Sequence, residues 1–373
     1  MHCGIVKTPF KEWEKNALEI SELLKYAGDT NCSDIHITAG THLALRRYGR
    51  LFFLDDVPTI SQAESMIMSF LSEEEEAKVR EGHDIDVGCR LPDRTRIRVN
   101  VYHQRGNLAA SIRMLYRNIP PLRELGLPSI LESFASLPRG MVLVTGPTGS
   151  GKSTTLASMM EYINETYDRH IMTIEDPIEY ILDHKQALIH QREVGADVPD
   201  FHTALRSALR EDPDIIMVGE MRDYPTIAAA VTAAETGHLV FSTLHTSSAA
   251  QTVERIIDST PVENQSQIRL QLANVLEGVI TQTLIPRKDG QGRVVATEIM
   301  AMNYAIRNLI RDNKVHAITD VIQSGAKESM HTMNMDLARL YKEKKISREN
   351  TIQHSYNVRD LLRLLESSRS EAT

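Results

Sequence analysis

Met141-Val-Leu-Val-Thr-Gly-Pro-Thr-Gly-Ser-Gly-Lys-Ser-Thr-Thr155 is the stretch that decides how this chain is read. Met141 to Val144 is an apolar run that predicts a buried strand, and Leu156-Ala-Ser-Met-Met160 starts a helix. Between them Gly146, Pro147, Thr148, Gly149, Ser150, Gly151, Lys152 and Ser153 fit G-x-x-x-x-G-K-[ST] at every constrained position, and Thr154 follows directly. Glycine lets the backbone fold tightly enough for successive N–H groups to point at phosphate oxygens. The following helix turns its positive end toward the same anion. Lys152 is expected to reach the β- and γ-phosphates, and Ser153 to coordinate Mg²⁺. The bland alternative is a glycine-rich turn that binds nothing. It does not account for eight residues in a strand-to-helix setting. The stretch predicts a nucleoside-triphosphate site, with ATP and Mg²⁺ as ligands.

The whole chain has 373 residues, enough for two or three domains that each bury a core. Hydrophobic residues make up 42% and charged residues 25%, an ordinary globular balance. A formal charge of −8 gives no global pull toward nucleic acid or anionic lipid. Cys3, Cys32 and Cys89 are scattered and odd in number, which indicates neither a zinc site nor a disulfide framework. No segment approaches the roughly 18 apolar residues of a membrane span, and the N-terminus lacks the apolar core of a secretion signal. The expectation is a cytoplasmic protein without direct membrane insertion.

Residues 1 to about 13 read as a loose extension of an N-terminal domain, 1–116. A first helix carries Leu18, Leu23, Leu24 and Ala27 at helical spacing, with Gly28 as its stop. Ser33 to Thr38 alternates as a strand, and Leu43–Tyr48 turns at Gly49 into Leu51–Leu54 as a hairpin. Ser61 is expected to cap a helix through Phe70, and Ser72 another that opens with Glu73-Glu-Glu-Glu76. Asp84–Leu91, Arg94–Tyr102 and Leu108–Leu115 complete an antiparallel sheet. Residues 117–128, with three prolines, predict a stiff linker. From 129 to 373, strands at Met141–Thr145, His170–Glu175, Asp214–Val218 and His238–Leu244 alternate with helices, which indicates a parallel sheet. After Asn264 the chain reads as mostly helical, with one strand near Arg293–Met300.

Four further stretches carry chemistry. Ile171-Met-Thr-Ile-Glu175-Asp176 is an apolar strand running out into two acids, which can hold an attacking or metal-bound water; an N-cap role is the alternative. Asp212-Pro-Asp-Ile-Ile-Met-Val-Gly-Glu220 is an apolar strand ending in an acid, the Walker B arrangement, with Glu220 placed to polarise water and support Mg²⁺. His238 and His245 bracket a buried strand, and His245 leaves the end where a γ-phosphate sensor would sit. Arg94, Arg96, Arg98, Arg105 and Arg113 lie on or beside the last strands of the first domain. Arginine supplied by a neighbouring domain steadies the charge of phosphoryl transfer, although a solvated strand face explains most of the five.

From about Ala17 onward the chain resembles the PilT retraction ATPases of bacterial type IV pili, within the secretion-ATPase superfamily. The residues that carry the resemblance are the phosphate loop, Glu175 and Asp176 as an "Asp box", Glu220, and His238 to His245 as a "His box". Gln191-Arg-Glu-Val-Gly195, Phe201 to Asp214, and the retraction-like Ala305-Ile-Arg-Asn-Leu-Ile-Arg311 add to it. The resemblance implies a PAS-like N-terminal domain, a RecA-like P-loop ATPase domain with a helical C-terminal part, and a hexameric ring. It also implies Arg98 and Arg113 at the nucleotide, Glu220 and Glu175 as catalytic acids, and a pilus platform protein at the inner face of the cytoplasmic membrane as partner. Ser242 and Asp312 stand where the family usually has glycine and glutamate, and Met330 to Met335 is unusually Met-rich.

The function expected is an ATP-hydrolysing motor for pilus retraction and twitching motility. An assembly ATPase usually adds a four-cysteine zinc insertion and a further N-terminal domain, and this chain has neither. A nucleic-acid motor is disfavoured by the acidic balance and the lack of an aromatic–basic stripe. A nucleotide-binding scaffold without turnover is disfavoured by the acids at Glu175 and Glu220.

Overall fold

The computed structural model describes residues 19–370, apart from 31, 48, 92–95 and 115–118, and gives only the backbone of Arg90 and of 367–370. The expected extension 1–13, Leu18, Tyr48, Arg94, Leu115 and the start of the linker lie outside the described residues. Contacts divide the chain into two units, Met1–Asn118 and Ile119–Thr373.

The first unit runs α1 (Ile20–Asp29), β1 (Asp34–Thr38), β2 (Ala44–Arg47), β3 (Arg50–Phe53), α2 (Ile60–Met68), α3 (Glu73–Arg80), β4 (Ile85–Arg90), β5 (Arg96–Gln104) and β6 (Asn107–Met114). Its strands form one antiparallel sheet in the order β3-β2-β1-β6-β5-β4. Strict alternation sends Ile35, Ile37, Ile97, Val99 and Val101 into a core with Leu23, Leu24 and Ala27 of α1 and Ala63, Met66 and Ile67 of α2. The opposite face is mixed, with Leu51 and Phe53 of β3 exposed among polar residues. On it Arg46, Asp34, Arg113 and Arg98 stand in cross-strand register.

Two helix ends differ from expectation. Helix α1 continues past Gly28 to Asp29, and its end is fastened by Thr30, whose hydroxyl donates to the Tyr26 carbonyl at 2.6 Å. The cap of α2 is Thr59 rather than Ser61. Thr59 Oγ1 accepts the Gln62 N–H at 3.3 Å, and the Gln62 side chain accepts the Thr59 N–H at 2.9 Å. This reciprocal pair satisfies two amides at once, so Ser61 falls inside the first turn. Ser72 and Glu75 make the same box at the start of α3, where the four glutamates sit at the positive helix end.

The second unit begins with the proline-rich stretch, which holds a 3₁₀ turn at Leu122–Leu125. Leu122 is buried with Leu131 and Phe134 of α4 (Ile130–Ala135). Then follow β7 (Gly140–Thr145), α5 (Lys152–Thr166), β8 (His170–Glu175), β9 (Leu188–Glu193), α6 (Phe201–Ala208), β10 (Ile215–Val218), α7 (Tyr224–Glu235) and β11 (Leu239–Leu244). The chain continues through α8 (Ala249–Asp258), α9 (Gln265–Val275), β12 (Leu276–Pro286), β13 (Arg293–Ala301), α10 (Tyr304–Arg311) and α11 (Ile318–Ser324). It closes with α12 (Met333–Lys342), α13 (Arg348–Gln353) and α14 (Val358–Ser370). The sheet order is β13-β12-β7-β11-β10-β8-β9, parallel except for β13.

Helices cover both faces. Met141 and Leu143 of β7 pack toward residues of α6 to α10, while Val142 and Val144 pack toward α4 and α5. A central strand buried on both sides reads as a continuous apolar run, as β7 does.

Two strands were not expected. The region after Asn264 holds β12 as well as β13, and β9 forms a sheet edge. Helix α9 passes into β12 with no turn residue, since its cap, Leu276, already has extended geometry with φ −65° and ψ 130°. No glycine or proline marks that boundary. Strand β9 is an edge with exposed Leu188 and His190, so its polar content hides it from an apolar pattern.

Candidate functional site

Because β12, β7, β11, β10, β8 and β9 run parallel, their carboxyl ends share one edge of the sheet. Ligands of open α/β sheets bind outside that edge. The phosphate loop leaves β7 there, Glu175 ends β8, Glu220 follows β10, and His245 follows β11.

The loop is seated by its neighbour β12. Gln282 donates Nε2–H to the Ser150 carbonyl at 2.8 Å and accepts the Thr155 hydroxyl at 2.9 Å. Thr145 and Thr281 join their hydroxyls at 2.9 Å beneath it. Gly146 has φ +136°, and a Cβ there would lie 2.2 Å from the Gln282 carbonyl oxygen, so only glycine fits. Ser150 Oγ is buried without a hydrogen-bond partner. An unsatisfied hydroxyl in such a cradle fits a ligand rich in acceptors. Lys152 is the first residue of α5, and its ammonium donates to the carbonyls of Gly146 at 2.8 Å and Pro147 at 3.1 Å. Burial pulls its pKa below the usual lysine value, against the opposing charges of Glu220 and Glu179. Thr154 shares a hydrogen bond of 2.9 Å with the Tyr180 hydroxyl.

Glu220 is held at both oxygens. His245 Nε2 lies 3.0 Å from Oε1, and the Arg222 guanidinium 2.8 Å from Oε2. Loop 219–221 is itself fixed: the Thr243 hydroxyl donates to the Gly219 carbonyl at 2.6 Å, and the Met221 N–H to the Thr243 carbonyl at 3.2 Å. Ser242, the departure from the family glycine, donates its buried hydroxyl to the Val218 carbonyl at 2.8 Å.

Glu175 is different. It is buried, with no cation paired to it among the described residues, and burial pushes its pKa up to about 7. Three donors oppose that rise: the Thr173 hydroxyl, the Gln191 amide and the Glu179 backbone N–H.

His238 lies at the other end of β11, before its first residue, where Nδ1 meets the Ala233 carbonyl at 2.9 Å. That is a structural role. Arg98 and Arg113 belong to the first unit. Arg98 is clamped to Asp86 through Nε at 2.8 Å, and Arg113 Nε donates to Asp34 at 3.2 Å. Arg96 shares their sheet face, while Arg105 sits in the β5–β6 turn. Sequence reasoning assigned no role to Arg222, Gln282, Gln191 or Thr173. Arg222 had a signal, two residues after the Walker B acid, and Gln191 opens one of the runs that carry the resemblance.

The chain matches the family model described as "Type II/IV secretion system protein" over residues 15–365. It is 45% identical over 334 residues to the "Type IV pilus retractation ATPase PilT" of Pseudomonas aeruginosa, covering 89% of this chain and 97% of that protein. It is 46% identical over 304 residues to the "Twitching motility protein" of Neisseria gonorrhoeae, covering 81% of each. The crystal structure of the pilus retraction motor PilT with bound ADP superposes with a TM-score of 0.84 at 45% identity, over 93% of this chain and 99% of that one.

Proposed function

The chain belongs to the type II/IV secretion system protein family, and from that premise we propose that it is an ATP-hydrolysing motor that powers retraction of type IV pili. The observation that supports the catalytic part best is Glu220, gripped by His245 and Arg222 at the same sheet edge as the phosphate loop.

ATP lays its phosphates against the backbone N–H groups of Gly146 to Thr154, Pro147 apart, and Lys152 turns its charge to the β- and γ-phosphates. Ser153 and Glu220 would hold Mg²⁺, which when bound neutralises charge on the phosphate oxygens. Glu175, poised near neutral pH, takes the proton of the attacking water as it forms phosphate and ADP. Glu220 orients that water, and His245, touching Glu220, reports the γ-phosphate. Arg98 and Arg113 of an adjacent copy complete the site in a six-membered ring. The ring works against a platform protein at the inner face of the cytoplasmic membrane. No helix among the described residues is long and apolar enough to cross a membrane.

The test is ATP turnover beside ATP affinity, by isothermal titration. Glu220→Gln should bind ATP as the parent does and turn it over roughly 10²-fold more slowly or worse. Lys152→Ala should lose affinity by about tenfold or more, the scale of a lost charge-assisted contact. Parent-like turnover in Glu220→Gln would remove that residue from the chemistry.

A further inference from the structure

Glu175 ends a strand whose neighbours are arranged around its carboxyl. Gln191 on β9 donates Nε2–H to Glu175 Oε1 at 3.1 Å and to the Tyr180 carbonyl at 2.8 Å. Its own Oε1 accepts the Leu182 N–H at 2.9 Å. Both ends of the amide are engaged, so it has one orientation. Thr173, buried two residues before Glu175 on the same strand face, donates its hydroxyl to the same Oε1 at 2.7 Å. Tyr180, whose carbonyl Gln191 grips, meets Thr154 of the phosphate loop through its hydroxyl. One side chain therefore ties the acid to the segment that touches the loop.

We propose that Gln191 and Thr173 are positioning residues for ATP hydrolysis, which orient the Glu175 carboxyl and stabilise its charged form as proton acceptor. This rests on the reading of Glu175 as the base. Beside Gln191 and Thr173 the Glu179 backbone N–H also favours the charged form, and no cation among the described residues is paired with the acid. The charged groups around it are Asp176 and Glu179 in the following loop and Glu193, in register with it on β9. Past β10, Gly219 packs on its backbone and leads to Glu220 and Arg222. Glu193 turns its carboxylate to the Ile178 N–H at 3.0 Å, and the Arg222 guanidinium is taken by Glu220. Glu179 adds like charge. Neutral donors are what remains to favour the carboxylate. Each donor removed leaves the charged form weaker and the proton held more tightly.

The experiment is the pH profile of ATP turnover by the full chain with Mg²⁺, for the parent, Gln191→Met, Thr173→Val and Glu175→Gln. ADP binding and thermal unfolding are measured on each. Because the base must be ionised, turnover should rise with pH through about 7 in the parent. Gln191→Met and Thr173→Val should each move that rise upward by about one pH unit, the scale of one hydrogen bond to a charged group, with ADP affinity kept. A limb that stays in place in folded, ADP-binding variants overturns the proposal. So does a rate that falls equally at every pH. The two residues lie on different strands, so if one variant does not fold the other decides. Glu175→Gln should abolish the limb; if it keeps both limb and rate, the base reading itself falls, an outcome read on Glu175 alone.

Discussion

Glu220 and Glu175 are both carboxylates at strand ends, yet their surroundings give them opposite characters. Glu220 has an imidazole and a guanidinium within hydrogen-bond reach. Glu175 has only neutral donors, and burial raises it from 4.5 to about 7. That difference has a consequence for stability. Below pH 4.5 the acid is protonated in both folded and unfolded chains and does not bias folding. Between pH 4.5 and about 7 the unfolded chain ionises while the folded one resists, so the native state loses ground across that window and no further above it. Glu175→Gln should therefore be stabilised by up to about 3 kcal/mol above neutral pH and unaffected in acid. Thermal unfolding of parent and variant across pH checks this. A constant offset between them would mean that ionisation of Glu175 is not what the fold resists.

At the scale of elements, α10 departs most from what its sequence suggests. Ala305–Arg311 reads as an amphipathic helix with two arginines on a free face, and Ile306 and Ile310 are indeed buried. Arg307 is not free, however. It donates to the Ala273 and Asn274 carbonyls at 2.7 and 2.9 Å and pairs with Glu277 at 3.0 Å. It thus caps the end of α9, where a cation also meets the negative helix terminus. Arg311 makes a single bond of 2.9 Å to the Asn274 side chain. Arg307→Ala should lower stability by about 2 kcal/mol, since the pair is largely sheltered, and Arg311→Ala by less than about 1 kcal/mol. Denaturant unfolding of the two variants gives the comparison, and equal stability would remove the clamp.

The same scale shows what the sequence could and could not disclose. β7 and β11 were legible because burial on both faces writes an apolar run. β12 was not, because a helix becomes a strand at Leu276 without a turn residue, and its Gln282 looks like any polar residue. The phosphate loop, Glu175, Glu220 and His245 follow from motif and strand end. Gln191 and Gln282 depend on which strands lie side by side, a property that local pattern does not encode.

For the molecule as a whole, the arginines expected at the nucleotide belong to the unit that lacks the phosphate loop. Their present partners rank them. Arg98 is gripped by Asp86 through three hydrogen bonds, whereas Arg113 has one of 3.2 Å to Asp34 and a side chain 62% exposed. Arg113 is thus the easier to release toward phosphate. In assemblies mixed from parent and Arg113→Ala subunits, activity should fall faster than the variant's share. A linear fall would place Arg113 on a solvated face.

Hydrolysis at this site should drive pilus shortening. Its most direct measurement is the length of single surface pili, followed over time in living cells whose only copy of this chain is Glu220→Gln. Cells with the parent chain should extend and shorten their pili, and cells with the variant should extend pili that do not shorten. Normal shortening in the variant cells, or a complete absence of pili, would contradict the claim.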